Sequence, residues 1–311
     1  MTAFRDTGER PAIQAIRKVI RNGGGADDDA SVIDVGGDRL AVCTDSVSFQ
    51  RHRPEGMSFE QFGWTAAAVN LSDLAAMGAR PIGVMAALMV PEDTEMSDIE
   101  AIMSGMDQCA EFSGTEIIGG DTKPGPGVVA GTAIGAMDGR EPMTRSGAKK
   151  GDLIAVTGPL GGPAAGFRAL EKGFDSPDCI FSLYVPIPRT QEGIALAETG
   201  KVTSCMDLSD GLSTALNTIC RINGLGAAVE WDLIPRADGV DEAVEALGLS
   251  DEETVMDWGG EYELMFTFDR NDIDALRSTD VDFTIIGFMT DDGSVLLRRD
   301  GKYREVGDGA Y

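Results

Sequence analysis

The chain has 311 residues, 42% of them hydrophobic and 25% charged, so it is long and apolar enough to bury a core. Its 52 Asp and Glu residues outnumber its 26 Lys and Arg residues, which gives a net charge of −26 at pH 7. A field of that sign repels nucleic acid and anionic lipid and excludes non-specific polyanion binding. No hydrophobic run approaches the ~20 residues that span a bilayer, and the chain starts with a polar segment. We therefore expect a soluble, cytoplasmic protein with no nucleic-acid or membrane partner.

Helical and strand-like patterns alternate along the chain, with glycine at most junctions, which indicates a mixed α/β fold. Ser58 and Gln61 form a predicted capping box for a helix that ends at Met77. Ser97 and Glu100 form a second such pair and predict the next helix. The other elements predicted in this half are a helix at 13–20 and strands at 31–35, 40–44, 115–118 and 128–136.

The segment 138–152 combines Gly, Pro and charged residues, and a strand-like pattern restarts after it. We place a domain boundary here and predict an N-terminal domain over 1–145 and a C-terminal domain over 146–311. The elements predicted in the second domain are strands at 153–157, 227–231 and 262–268, a strand that ends at Met206, and helices after Gly158, at 191–199 and at 209–221.

Aspartates recur beside glycines or at predicted ends of elements. They are Asp27, Asp28 and Asp29 after three glycines, Asp45 at a strand end, Asp73 inside an apolar helix, Asp121 after two glycines, and Asp207 and Asp210 around Ser209. An isolated buried carboxylate is costly unless a cation compensates it. Aspartates that converge in the fold would need Mg²⁺ or another hard divalent ion, whose preferred ligands are oxygens.

Each of these features also has a purely structural interpretation. Asn70 and Asp73 share one helical face, where an intrahelical hydrogen bond would account for the pair. The acids around Ser209 could cap a helix, and the Gly-Gly-Asp at 119–121 could be a turn. The glycine-rich turn at 158–166 could hold an anion on its N–H groups or serve close packing, and no Walker A pattern accompanies it. His52, the only histidine, could be a solvated loop residue.

Four segments stand out when they are taken together. They are Ala-Ala-Val-Asn-Leu-Ser-Asp-Leu-Ala-Ala-Met-Gly-Ala-Arg-Pro at 67–81, Gly-Gly-Asp-Thr at 119–122, Arg-Ser-Gly-Ala-Lys-Lys-Gly-Asp at 145–152 and Asp-Leu-Ser-Asp-Gly-Leu at 207–212. In this order the set resembles the thiamine-monophosphate kinase family of the aminoimidazole ribonucleotide synthetase superfamily, over nearly the whole chain. The Arg-Ser-Gly-Ala-Lys segment favours the kinase branch.

The resemblance implies a two-domain α/β subunit that forms a homodimer through its N-terminal half and holds ATP and Mg²⁺ in a cleft. It implies transfer of the γ-phosphoryl group of ATP to thiamine monophosphate, which gives thiamine diphosphate. The implied metal ligands are Asp29, Thr44, Asp45, Asp73, Asp121, Asp207 and Asp210. The residues implied at ATP are Gly120, Asp121, Arg145 and Ser209, and the implied catalytic residues are Asp210 and Arg145. The residues implied at the acceptor are His52, Glu261 and Tyr311, with Tyr303 as the other C-terminal aromatic.

The chain departs from the family pattern at positions on the acceptor side. The family's Gly-Gly-Glu-Asp-Tyr-Glu-Leu is one acidic residue shorter here, at 259–264, and Arg53 replaces a Phe after the histidine. Two alternative functions therefore stay open. One is an ATP-using member of the superfamily with a different phosphorylated or amide acceptor, and the other is a non-catalytic nucleotide-binding protein.

Overall fold

The computed structural model describes residues 9–21 and 27–307 and contains two β-sheets, one from each half of the chain. The strands of the first half are β1 (Ser31–Val35), β2 (Asp38–Ser48), β3 (Arg80–Val90), β4 (Ile117–Pro124) and β5 (Val128–Ala136). They form a five-stranded sheet in the order β1-β2-β5-β3-β4, in which only β3 and β4 are parallel. The helices of this half are α1 (Glu9–Val19), α2 (Phe49–His52), α3 (Phe59–Ala76) and α4 (Met96–Phe112).

Helix α3 starts with the predicted capping box, in which Gln61 N donates to Ser58 Oγ at 3.1 Å and Ser58 N donates to Gln61 Oε1 at 2.9 Å. It packs against α4 at very short range. A Cβ on Gly63 would lie 1.9 Å from the Ile102 carbonyl oxygen, so only glycine permits this approach of the two backbones.

Helix α3 also joins the two halves of the chain. Most of its residues are buried in the core of the first half. At its C-terminal end, Ala75 and Ala76 instead belong to a hydrophobic cluster with Leu196 and Phe266 of the second half. A helix buried on all sides in this way fixes its polar residues in position relative to both sheets.

The second half forms a seven-stranded sheet. Its strands are β6 (Leu153–Val156), β7 (Val202–Asp207), β8 (Gly226–Glu230), β9 (Leu264–Phe268), β10 (Thr284–Thr290), β11 (Val295–Arg299) and β12 (Lys302–Glu305), in the order β12-β11-β8-β10-β6-β9-β7. Its helices are α5 (Gly162–Lys172), α6 (Pro177–Tyr184), α7 (Thr190–Thr199), α8 (Leu212–Asn223), α9 (Val240–Leu247) and α10 (Ile273–Arg277). The mixed α/β class and the two-part architecture are confirmed, whereas the exact boundary at 145/146 stays a prediction.

Several local predictions were wrong, and each has a physical reason. Strand β2 continues past Asp45, because its backbone pairs with β5 as far as Ser48. The Gly-Gly-Asp at 119–121 is part of β4 rather than a turn, because it pairs with β3. The N-cap of α4 is Glu95 without a side-chain hydrogen bond, so the predicted Ser97 capping box does not form. Among the described helices, none is long and apolar enough to cross a membrane.

Candidate functional site

Three aspartates from separate segments meet where α3 crosses the end of β7. Asp29 precedes β1, Asp73 lies in α3 and Asp207 is the last residue of β7. One carboxylate oxygen of each lies within 4.8 Å of those of the other two. We call Asp29, Asp73 and Asp207 the acidic cluster. The sequence predicted all three as metal ligands, and the fold brings them together.

Asp207 is the most constrained member of the cluster. It is only 2% exposed, and the Ser72 hydroxyl of α3 donates to its Oδ2 at 2.6 Å. Its other oxygen, Oδ1, is buried and has no hydrogen-bond partner in the described part of the chain. A buried carboxylate oxygen without a donor is destabilising unless a cation or a ligand compensates it. The cluster offers three carboxylates, and one of them has an oxygen without a donor among the described residues. This donor set fits a hard divalent ion such as Mg²⁺.

The electrostatics of the cluster point the same way. Burial, followed by the charges of Asp207 and Asp29, raises the pKa of Asp73 well above its ordinary value. Burial and then the charge of Asp29 raise the pKa of Asp207 to about 7. Burial also raises the pKa of Asp29, although the neighbouring Arg145 opposes that shift. Like charges forced together in a poorly solvated place favour proton uptake or cation binding.

Arg145, predicted at ATP, is held against the cluster. Its Nη2 lies 2.5 Å from Asp29 Oδ1 and its Nε 3.2 Å from Asp29 Oδ2. Its backbone N donates to Asp28 Oδ1 at 2.9 Å, and Asn223 Nδ2 donates to its carbonyl oxygen. One guanidinium offsets one of the three clustered carboxylates, so a negative excess remains.

Strand β2 carries two predicted ligands, Asp45 and Thr44, whose side chains point to opposite faces of the sheet. Asp45 N donates to Asn70 Oδ1 at 2.9 Å, which ties β2 to α3, and the charge of Asp45 contributes to the raised pKa of Asp73. Thr44 points to the opposite face, because successive strand residues alternate. Its hydroxyl donates to Gly131 O at 2.7 Å. Asn70 also donates to Ala66 O at 3.1 Å, an intrahelical bond that does not involve Asp73.

Ser209 and Asp210 follow Asp207 in a loop before α8, not in the helix itself. The N-cap of α8 is Gly211, so the helix-cap interpretation of the two acids is wrong. A Cβ on Gly259 would lie 1.9 Å from the Ser209 carbonyl oxygen, and Gly260 N donates to that oxygen at 3.0 Å. The loop at 259–263 is therefore packed directly onto the loop that carries Asp210.

Asp121 and Gly120 lie away from the cluster within one subunit. Asp45 pairs with Gly131 in β5, which pairs with Ala86 in β3, which pairs with Gly120 in β4. Gly120 is therefore three strand spacings, or about 14 Å, from Asp45. Asp121 is exposed, and its Oδ2 lies 2.6 Å from Lys123 Nζ. A groove of about 620 Å³ runs beside β4 and the adjacent Met103 of α4. Asp121 therefore lies too far along the sheet to share an ion with Asp45 in the single chain.

The predicted acceptor residues fall in two places. His52 ends α2, and its Nδ1 accepts from Ser48 N at 3.0 Å, while burial lowers its pKa and keeps the ring neutral. Arg53 lies 4.0 Å above the Phe59 ring. Glu261 is buried in the second half. Tyr311 lies outside the described residues.

The glycine-rich turn before α5 is filled by the chain's own acids. Gly161 N donates to Glu261 Oε1 at 3.1 Å, and burial raises the pKa of Glu261 to about 8. A Cβ on Gly158 would lie 2.2 Å from Glu263 Oε1. These contacts favour the packing interpretation of the turn over an anion site.

Sequence reasoning missed two residues near the site. Arg189, before α7, holds Glu263 through Nε and Nη2 at 2.7 and 2.5 Å. Tyr262 has a left-handed backbone, with φ at 54°. The available signal for Tyr262 was its place inside the Gly-Gly-Glu loop. Arg189 had no local signal, because its contact with Glu263 spans 74 residues of sequence.

Comparison with known proteins places both halves of the chain in one family. The N-terminal domain of AIR synthase related protein matches residues 27–137, and its C-terminal domain matches residues 149–298. The chain belongs to the AIR synthase related protein family.

Curated relatives and solved structures extend the similarity over both halves. The thiamine-monophosphate kinase of Pyrococcus horikoshii is 33% identical over 90% of this chain and 87% of its own length. That of Escherichia coli K12 is 35% identical over 85% and 83%. AaThiL complexed with AMPPCP and TMP superposes with a TM-score of 0.87 at 25% identity, over 97% of this chain and 96% of that one. The resemblance predicted from the sequence motifs is confirmed.

We predict that Mg²⁺ raises the melting temperature more at pH 8 than at pH 5. The raised pKa of Asp207 means that the folded cluster keeps a proton that the unfolded chain has already released. The folded state therefore loses stability as the pH rises from about 4 through about 7, and a bound divalent ion offsets that repulsion. Differential scanning fluorimetry with and without Mg²⁺ at both pH values measures the effect.

The matched variants for this measurement are Asp207→Asn and Asp291→Asn. Asp291 is exposed and paired with Lys150, so its variant should keep the full response to Mg²⁺. Asp207→Asn should lose most of it. An equal Mg²⁺ response at both pH values, or an unchanged response in Asp207→Asn, would contradict the metal assignment.

Proposed function

We propose that the protein transfers the γ-phosphoryl group of ATP to thiamine monophosphate, giving thiamine diphosphate and ADP, with Mg²⁺ at the acidic cluster. The observation that carries the proposal is the convergence of Asp29, Asp73 and Asp207 in a chain that matches AaThiL complexed with AMPPCP and TMP over 97% of its length. Relatives more than 30% identical over most of the chain are thiamine-monophosphate kinases.

The charge balance supports a metal-assisted reaction. ATP and a phosphorylated acceptor are both anions, and the chain itself carries −26. Bound Mg²⁺ supplies the positive charge that lets the two phosphate groups approach and that stabilises the transferred group. Phosphoryl transfer needs alignment and charge neutralisation more than covalent help, so the reaction requires no nucleophile from the protein.

The chain's own residues have separate tasks in this scheme. Asp73 and Asp207, fixed by α3 and β7, would hold the metal side of the site. Arg145 lies against Asp29 and would donate to a phosphate oxygen when that carboxylate binds metal instead. The loop at 209–211 would contact the nucleotide through Ser209. Asp210, exposed in the same loop, would complete the ligand set.

The acceptor would bind on the side formed by His52 and Glu261. Both residues are neutral near pH 7, because burial lowers the pKa of His52 and raises that of Glu261 to about 8. A neutral imidazole and a neutral carboxyl can each donate one hydrogen bond and accept others. They suit the uncharged polar atoms of an acceptor, while the phosphate goes to the metal side.

We also infer that two copies of the chain associate through the first sheet. The face of that sheet opposite α3 and α4 carries exposed hydrophobic side chains on three strands, which include Val35, Ile82, Met85 and Ile118 at 50%, 40%, 39% and 48% exposure. Met85 pairs with Thr132, which pairs with Thr44, so Met85 lies on the same face as Thr44. An apolar sheet face of this kind is typical of an interaction surface. A second copy would also cover Asp121 on β4.

We predict that the wild type forms thiamine diphosphate from ATP, Mg²⁺ and thiamine monophosphate, and that Asp210→Asn lowers the rate at least about 100-fold by removing one metal-ligating charge. Asp291→Asn removes an exposed carboxylate that is paired with Lys150 and should retain the wild-type rate. Chromatography of the reaction products measures thiamine diphosphate directly.

The alternatives give different results in the same experiment. Mg²⁺-dependent binding of AMPPCP without thiamine diphosphate, but with turnover on another acceptor, would assign a different acceptor. Binding without turnover on any acceptor would identify a non-catalytic nucleotide-binding protein. Either result would contradict the proposed reaction.

We predict that the wild type is a dimer with twice the 32.8 kDa mass of the chain and that Met85→Glu makes it monomeric. A charge at the centre of an apolar interface is left unpaired when the two copies meet. Phe288→Glu is the matched control, because Phe288 is equally exposed at 40% but lies on the second sheet. Light scattering after gel filtration measures the mass. A monomeric wild type, or a dimeric Met85→Glu, would contradict the inferred interface.

A further inference from the structure

Tyr262 lies between two glutamates that are each anchored. Glu261 accepts from Gly161 N at the start of α5, and Glu263 is held by two bonds from Arg189 and a third from Thr157 Oγ1 at 2.6 Å. These bonds fix the backbone on both sides of Tyr262. The tyrosine between them therefore has little freedom to move.

The backbone around Tyr262 also runs beside the loop that carries Asp210. Leu208 N donates to Glu263 O at 2.8 Å, Tyr262 N donates to Leu208 O at 3.3 Å, and Gly260 N donates to Ser209 O at 3.0 Å. Tyr262 itself has φ at 54°, a conformation that costs a non-glycine residue of order 1 kcal/mol or more. Such strain persists where surrounding bonds impose it, and it clusters at functional sites.

The side chain of Tyr262 reaches from the second half into the first. Its ring packs against the hydrophobic core of the first half. Burial raises the pKa of its phenol, followed by the charges of four aspartates: Asp207, Asp45, Asp210 and Asp73. All four are predicted metal ligands, and three of them lie on three different elements, β2, α3 and β7. The phenol is therefore a protonated, uncharged group beside the carboxylates of the site.

This placement gives the hydroxyl one chemical use. An uncharged O–H donor beside a set of metal-binding carboxylates suits the oxygens of a phosphate group that the metal side holds, because it donates without changing the charge of the site. Donors fixed in advance by the fold act most strongly on charge that develops during a reaction.

We propose that Tyr262 binds the transferred phosphoryl group through its hydroxyl, as a hydrogen-bond donor that the Glu261 and Glu263 anchors hold in place. The proposal rests on the phosphotransferase function proposed above and adds a substrate-contacting residue to it. The proposed contact is to the γ-phosphate of the nucleotide and to no other part of it.

The test compares two nucleotides in one variant. Tyr262→Phe keeps the ring and its packing and removes only the hydroxyl. Its affinity for AMPPCP with Mg²⁺, measured by isothermal titration calorimetry, should fall roughly 10- to 100-fold, as expected for loss of one hydrogen bond to a charged group. Its affinity for ADP with Mg²⁺ should stay within about 2-fold, because ADP lacks the contacted group. The kcat should fall by at least the same factor as the AMPPCP affinity.

Tyr184→Phe is the matched control for loss of a phenol hydroxyl. Tyr184 donates to the Glu55 carbonyl at 2.5 Å, so its variant should melt at a lower temperature but bind AMPPCP and ADP as the wild type does. Equal losses for AMPPCP and ADP in Tyr262→Phe would show a structural role and overturn the proposal, as would unchanged AMPPCP affinity. Because the binding measurements need no acceptor, they test Tyr262 even if the wild type makes no thiamine diphosphate.

Discussion

The packing of α3 between the two halves of the chain is the interaction on which the site depends. It places Ser72 against Asp207 and the next residue, Asp73, beside the same carboxylate. The helix is buried on all sides, so neither aspartate can turn away to relieve the repulsion between them. The folded protein therefore holds a concentration of negative charge that its own cations offset only in part.

The acidic cluster lowers the stability of the folded protein and increases its affinity for a divalent ion. Three carboxylates within 4.8 Å of one another destabilise the protein when all are ionised, and the raised pKa values of Asp73 and Asp207 express that cost. The same repulsion makes a divalent ion a strong stabilising partner, because the ion removes a penalty that the fold imposes in advance. Without a bound ion, the ion pair between Arg145 and Asp29 offsets part of this repulsion.

The sequence predicted the parts of the site that local patterns encode. The capping box and the apolar faces define α3, and an aspartate inside such a helix is unusual enough to make Asp73 a candidate. The position of Asp207 at a strand end was predicted on the same grounds. The roles of Asp29, Asp73 and Asp207 as metal ligands came from the family resemblance.

What the sequence did not predict depends on contacts between distant segments. Local residues do not show that Gly119–Asp121 pairs with β3 and lies about 14 Å along the sheet from Asp45. They also do not show that Glu261 occupies the N–H group of the glycine-rich turn, which favours packing there. Tyr262 escaped prediction because its importance comes from its backbone conformation and its neighbours in the other half, not from its residue type.

Locating a bound ion tests the central claim most directly. Mn²⁺ takes oxygen ligands as Mg²⁺ does and gives an anomalous X-ray signal, so crystals grown with Mn²⁺ and AMPPCP would show its position. We predict an anomalous difference peak within bonding distance of carboxylate oxygens of Asp73 and Asp207. Crystals with well-occupied Mn²⁺ peaks elsewhere, and none at the acidic cluster, would contradict the account.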